Sequence, residues 1–406
     1  MIDIYADEES INILGLMSGT SGDGIDGALV SFKSNGEFAL LWHQYYPFSP
    51  ETKLRLRNLM RKCSADEAAL AAAYVGKLYA KAVRTFFKRQ KEPIDLLAAH
   101  GQTIAHHPLP LQWDEIKVTG TMQVINAAIL SEELDIPVVS DFRIRDMAVG
   151  GQGAPLVPFG DLIFFGKALD SDFGVLNVGG IANVTIIRRR VKPLVTQAFD
   201  TGPGNMLMDD LARIISNGKS EFDEDGKTAA VGKTNQALLH SLMQDPFIAA
   251  PPPKSSGRDR FGTTRLESIR EKLSSRISNT DLMSTLLDFT VDSIALSMEK
   301  FVFPEGKISS LIIAGGGALN KEFCRRLCRK LASQCEIVKS DKFGVPISAR
   351  EAMAFAALGY AFVKGIPSNI PAASGASKEV TLGVFTPASS RKFRCLQPDM
   401  KFPEQL

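Results

Sequence analysis

Glycine clusters at the ends of short apolar runs constrain this chain more than any other feature of its sequence. Ile11-Asn-Ile-Leu-Gly-Leu-Met-Ser18 runs into Gly19-Thr-Ser-Gly-Asp-Gly-Ile-Asp-Gly27, after which Ala28-Leu-Val-Ser-Phe32 resumes the apolar pattern. Runs of this length around a polar glycine turn read as strand, turn, strand. Glu37-Phe-Ala-Leu-Leu-Trp-His43 follows a second turn as a third strand, so the chain opens as an antiparallel meander. The pattern returns at Phe173-Gly-Val-Leu-Asn-Val178, Gly179-Gly180 and Ile181-Ala-Asn-Val-Thr-Ile-Ile187, which predicts two similar halves. A third cluster, Gly315-Gly-Gly-Ala-Leu-Asn320, joins an apolar run at 308–314 to a basic helix. Such a strand-to-helix turn brings backbone N–H groups to a nucleotide.

The 406 residues exceed one ordinary core, and Gly150-Gly-Gln-Gly-Ala-Pro155 marks the boundary between two domains, 1–146 and 147–406, with the terminal segment free to cross back to the first. Helical spacing of alanines, leucines and basic residues over 64–90 stops at Glu92-Pro93, before a buried strand at 94–99. A helix at 126–134, a strand at 136–140 and an amphipathic helix at 348–363 complete an α/β pattern. Lys and Arg number 47 against 45 Asp and Glu, a balance without the basic footprint of a nucleic-acid or anionic-membrane partner. The apolar windows at 96–113 and 173–187 are broken by polar residues, so no membrane span is expected. Residues 1–10 are acidic and lack a secretory pattern, and the five cysteines are odd in number and sparse, which suits reduced thiols in a cytoplasmic protein. Cys324, Cys328 and Cys335 fall on no zinc spacing.

Several motifs compete with this reading. Gly22-x-Gly24-x-x-Gly27 matches a dinucleotide fingerprint, but that motif needs a helix after its third glycine, and 28–32 is a strand. Three Gly-Lys-Ser/Thr triplets, at 218–220, 226–228 and 232–234, have Arg213, Glu221 and Lys227 where a phosphate loop requires glycine. His100, His106 and His107 lack a regular ligand spacing, which favours hydrogen bonding or substrate contact over a metal. Neither Ser18 nor Ser21 sits in a nucleophile elbow.

Two segments carry chemistry. The turn from Gly19 to Gly27 offers amides and hydroxyls to phosphate, with Asp23 and Asp26 placed to hold Mg²⁺ directly or through water; capping of a hairpin is the other role open to them. A glycine hairpin in each half, the second at Gly179 and Gly180, would grip a polyphosphate from both sides. Asp200 ends a strand and precedes Thr201-Gly-Pro-Gly-Asn205, a position for a general base and equally for an Asx turn or helix cap.

Taken in order, eight segments resemble the 1,6-anhydro-N-acetylmuramic acid kinase family: Gly15–Asp26, His100-Gly-Gln-Thr103, Asp141-Phe-Arg-Ile-Arg-Asp146, Gly150-Gly-Gln-Gly-Ala-Pro-Leu156, Asn177-Val-Gly-Gly-Ile-Ala-Asn183, Phe199-Asp-Thr-Gly-Pro-Gly-Asn205, Pro253-Lys-Ser-Ser-Gly-Arg258 and Gly315–Asn320. The resemblance implies a two-lobed α/β fold of the actin/hexokinase/Hsp70 type, a duplicated ribonuclease H-like architecture with ATP and Mg²⁺ in the interdomain cleft. It implies hydrolytic opening of the 1,6-anhydro ring with phosphorylation of O6, a step of peptidoglycan recycling, and a cytoplasmic homodimer acting on a small anhydrosugar. By motif, Gly19, Thr20, Ser21, Gly22, Asp23, Gly24, Ile25 and Asp26 would bind the phosphates. Gly315, Gly316 and Gly317 would lie near the adenosine, Asp200 would be the base, and His100, Arg145 and Glu351 match positions around the sugar. Arg145 would pair its guanidinium fork with the sugar carboxylate or a phosphate oxygen, a surface ion pair being the other reading. One carboxylate suffices where a glycosidase needs two, because the γ-phosphorus can take the departing O6. The sequence departs from the family at Gly22, where a larger apolar residue is usual, and in the tail that contains Ser390-Arg-Lys-Phe-Arg394. A levoglucosan-type kinase and a non-catalytic ATP sensor are the alternatives.

Overall fold

The computed structural model describes residues 10–19, 22–166, 168–191, 194–273 and 277–389. Thr20, Ser21 and the tail from Ser390 onward lie outside the described residues. The chain forms two compact units, Met1–Phe164 with Glu351–Leu406, and Phe165–Arg350.

In the first unit, β1 (Ser10–Met17), β2 (Gly24–Lys33) and β3 (Phe38–Pro47) form the expected antiparallel meander, with Gly15 opposite Ala28 and Asp26 opposite both Met17 and Tyr45. β1 is central and covered on both faces, so Ile11, Ile13, Leu14 and Leu16 are all buried. β4 (Leu96–Ala99) pairs parallel with β1. The chain then leaves the sheet as a hairpin, β5 (Gln102–Trp113) and β6 (Ile116–Val124), before β7 (Val138–Ser140) pairs parallel with β4. The sheet order is therefore β7-β4-β1-β2-β3, extended beyond β7 by the antiparallel strand Val384–Thr386. The helix Ala65–Phe87 opens on a capping box between Ser64 and Glu67 and buries Val75, Tyr79, Val83 and Phe86, a stripe at three- and four-residue spacing.

The glycine and proline stretch after Asp146 is no linker. Buried Asp146 accepts hydrogen bonds from Gly153 N (2.8 Å), Asn369 Nδ2 (2.9 Å) and Ser374 Oγ (2.8 Å), while Gln152 N donates to the Ser374 carbonyl. These contacts tie the stretch to the returning segment, so the first unit runs past 146 to Phe164 and takes the chain back at Glu351. The helix Arg350–Lys364 belongs to the returning part and stacks Tyr360 on Phe32 of β2.

In the second unit, β8 (Phe173–Val178), β9 (Ile181–Ile187) and β10 (Val195–Pro203) form another antiparallel meander, and β11 (Ser310–Ala314) and β12 (Glu336–Lys339) add in parallel. The order β10-β9-β8-β11-β12 repeats that of the first unit, strand for strand. This is the duplicated ribonuclease H-like architecture that the resemblance implied. The core is organised by the helix Asn279–Ser297, capped by Ser278 and buried nearly all round. No helix among the described residues is long and apolar enough to cross a membrane.

Candidate active site

Asp200 lies near the end of β10, where the register against β9 shifts between Asp200 and Gly202. A bulge at a strand end re-aims the side chain it carries. The carboxylate is clasped by the segment 254–256: Ser256 N donates to Oδ2 at 2.7 Å and Ser255 Oγ to the same oxygen at 3.2 Å, while Asp200 N donates to the Lys254 carbonyl. Both bonds fall on Oδ2, which leaves Oδ1 without a hydrogen-bond partner among the described residues. Burial pushes the Asp200 carboxyl up to about 6, against the opposing effects of the two serines and the Lys254 ammonium. Lys254 is itself lowered by burial to about 8, with its Nζ donating to the carbonyls of Phe247 and Ile248 and lying over the Phe247 ring. The sequence held the Pro253-Lys-Ser-Ser motif, but only the fold reveals that it holds Asp200.

The other glycines of this unit converge. Gly179 and Gly180, in the β8–β9 turn, accept hydrogen bonds from Asn205, Gly204 and Met206 at the start of the helix Met206–Ile215. Approach there is so close that a Cβ on Gly204 would run into the Gly179 carbonyl oxygen. Asn205 Nδ2 donates to the Val178 carbonyl, and Gly315–Gly317 follow β11 against Asn177 and Val178. Beside these turns opens a cavity of about 320 Å³, lined by Asn205, Met208, Asp209, Phe222, Asp223, Glu224, Asp225, Gly316, Leu319 and Asn320. Burial pushes the Asp209 carboxyl up to about 7; Arg213 opposes this shift, and Asp210 and Glu221 add to it.

In the first unit, the turn after β1 is bound to the His100-Gly-Gln-Thr motif. Ser18 Oγ donates to Gln102 Oε1 at 2.8 Å, Gln102 Nε2 donates to the Gly19 carbonyl at 3.0 Å, and His100 N donates to the Leu16 carbonyl. Gly22 adopts φ +60°, a left-handed conformation that favours glycine over the bulkier residue usual in the family. Gly24 and Ile25 are buried at the start of β2. Asp26 Oδ1 is 3.0 Å from His43 Nε2, and Asp23 and Asp26 both act, after burial, to push the Tyr45 hydroxyl up to about 12. No group of three or more metal-ligating side chains forms among the described residues.

His100 is buried, and its ring is fixed from both sides. Nδ1 is 2.9 Å from the Gly101 carbonyl, while Nε2 accepts from Arg143 Nε at 3.0 Å and lies 2.9 Å from Nη2. Nδ1 therefore carries the ring proton. Burial, followed by the Arg143 charge, lowers its pKa to about 3. Arg143 is lowered to about 10 by burial, with Glu351 acting the other way, and donates Nη1 to the Gly153 carbonyl. Arg145, two residues on, is exposed, as is Glu351 at the start of its helix. The guanidinium gathered to His100 is thus Arg143's, whereas the sequence motif Asp141-Phe-Arg-Ile-Arg-Asp146 pointed to Arg145.

Residues 11–388 match the family model for anhydro-N-acetylmuramic acid kinase. A curated anhydro-N-acetylmuramic acid kinase from Caldanaerobacter subterraneus subsp. tengcongensis is 36% identical over 94% of this chain and 98% of its own, and one from Clostridioides difficile is 34% identical over 92% and 98%. Among solved structures, the activator of the 2-hydroxyisocaproyl-CoA dehydratase from Clostridium difficile, with bound ADPNP, aligns over 87% of this chain and 96% of its own at 14% identity and a TM-score of 0.43. Identity above 30% across nearly the full length of both sequences, with every motif in order, places the chain in the anhydro-N-acetylmuramic acid kinase family.

Proposed function

We propose that this chain opens the 1,6-anhydro ring of 1,6-anhydro-N-acetylmuramic acid with water and transfers the γ-phosphoryl group of ATP to O6, giving N-acetylmuramic acid 6-phosphate in cell-wall recycling. The observation that carries the reading is Asp200, a half-buried carboxyl raised to about 6 whose two hydrogen bonds both occupy Oδ2. A base with a pKa near the working pH, one oxygen anchored and the other open, is suited to take a proton from water. The water oxygen bonds to C1, the C1–O6 bond breaks, O6 takes the phosphoryl group and ADP departs. No carboxylic acid is needed for the leaving oxygen.

The convergence of Gly179, Gly180 and Gly315–Gly317 beside the cavity supports nucleotide binding in the second unit, and Gly19, Gly22, Gly24 and Ile25 support phosphate binding in the first. Thr20 and Ser21 belong to that second reading by motif. Mg²⁺ retains water and takes phosphate oxygens, so one or two carboxylates suffice to hold it. Asp23 and Asp26, close enough to act together on Tyr45, fit that requirement; the ion would neutralise phosphate charge. His100, with its single proton given to a carbonyl, serves as a fixed acceptor that orients Arg143, not as an acid. We add Arg143 to Arg145 and Glu351 around the sugar, as the half-buried cation for its carboxylate. A homodimer belongs to the same proposal, and sedimentation velocity tests it.

Mass spectrometry of product made in ¹⁸O-water is the decisive experiment. Label at C1 is expected, and Asp200→Asn should lower kcat by about a thousandfold while ADP still binds. Unlabelled product, or full activity of the variant, overturns the base role. Turnover of levoglucosan alone overturns the muramyl assignment, and ATP binding without any product would leave a sensor.

A further inference from the structure

The cavity beside Gly316 carries more than a general assignment to nucleotide. Four carboxylates line it, and three are already engaged. Asp223 accepts from Thr228 N and Ala229 N at 2.9 and 3.0 Å, Glu224 pairs with Lys227 at 2.7 Å, and Asp225 pairs with Lys321 at 2.8 Å. The side chain of Asp209 has no hydrogen-bond partner among the described residues. Arg213, whose charge acts on it, gives its hydrogen bonds to Asp210 and Glu221. Two large apolar side chains in the same lining, Phe222 and Leu319, are more than half exposed, at 58% and 57%. Exposed apolar side chains around a carboxyl that is acceptor-only when ionised call for a ligand with a flat apolar part and paired donors.

Position along the helix Met206–Ile215 orders the parts. Asn205, at its start, touches the glycine turns, and Asp209 lies one turn further, its N–H donating to the Asn205 carbonyl at 2.8 Å. A nucleotide has the same order, with ribose between phosphates and base. Its vicinal hydroxyls supply two adjacent donors, matching the two oxygens of one carboxylate.

We infer that Asp209 binds the ribose hydroxyls of the nucleotide and sets a preference for ribonucleotides, with the base resting on Phe222. This rests on the nucleotide reading of the cavity given above. Hydrogen bonds to a charged group outweigh neutral ones, and a carboxylate buried against unmatched hydrogens is penalised.

Isothermal titration of the full chain with ADP and 2′-deoxy-ADP tests the inference without relying on turnover. The wild type should bind ADP about tenfold more tightly than the deoxy form. Asp209→Ala should weaken ADP binding by about that factor and bring the ratio close to one. Phe222→Ala should weaken both nucleotides alike and keep the ratio. Equal affinities in the wild type overturn the ribose assignment without any variant, as does an Asp209→Ala protein that keeps the ratio. If neither nucleotide binds the wild type, the nucleotide reading itself falls.

Discussion

Asp200 is half-buried and His100 buried, and their surroundings give the two titratable groups opposite behaviour. The Asp200 carboxyl, raised to about 6, is a competent base only above that value, so kcat/KM should fall about tenfold per pH unit below it. The Lys254 ammonium favours the ionised carboxylate; Lys254→Met should therefore move the acidic limb of the profile upward, and a limb unmoved in a folded variant would remove Lys254 from this role. His100 is held neutral, at about 3 against 6.5 for the free side chain. The unfolded chain binds its proton first on acidification, so the stability His100 contributes is complete above about 6.5 and drains away as pH falls toward 3. Asp200 and Asp209, with raised values, act in the other direction, so the effect is read by difference. His100→Gln should lose less stability than the wild type between pH 7.5 and 5 in urea unfolding.

At the level of elements, the two meanders do the same job, each delivering a glycine turn from the end of a central strand. In the second unit the helix Met206–Ile215 starts against the β8–β9 turn, with Gly204 N donating to the Gly180 carbonyl at 2.9 Å. Backbone packed on backbone leaves no room for a methyl group. Gly204→Ala should destabilise the protein by about 2 kcal/mol and weaken ADP binding, measured by thermal unfolding and titration. The β5–β6 hairpin has no counterpart in the opening pattern of the sequence. Pro108 and Pro110 interrupt its alternation, and the pairing slips between His107 and Leu111. Its exposed Leu111, Trp113, Ile116 and Val118 left no core periodicity to read.

At the scale of the whole chain, one organising contact of the first unit joins residues far apart in sequence. Asp146 gathers the Gly150–Pro155 loop, Asn369 and Ser374, and so closes the first unit with the chain that returns from the second. Asp146→Ala would strand three buried donors. It should cost about 3 kcal/mol, seen as a lower urea midpoint at unchanged slope; a midpoint within error of the wild type would show that the returning segment is held by other contacts.

Local pattern alone determined the strand–glycine–strand repeat, a helix within 64–90, the α/β class and the position of Asp200, because periodicity and turn chemistry act over a few residues. Eight motifs in order were enough to point to the family. Tertiary structure decided which arginine meets His100, which oxygen of Asp200 stays open, which of four acidic residues at the cavity lacks a partner, and that the glycine-rich loop after Asp146 seals a unit and does not divide two. The arginine at His100, the open oxygen of Asp200 and the sealing of the loop depend on partners between about 40 and 230 positions away, and neighbours in sequence carry no record of such distances.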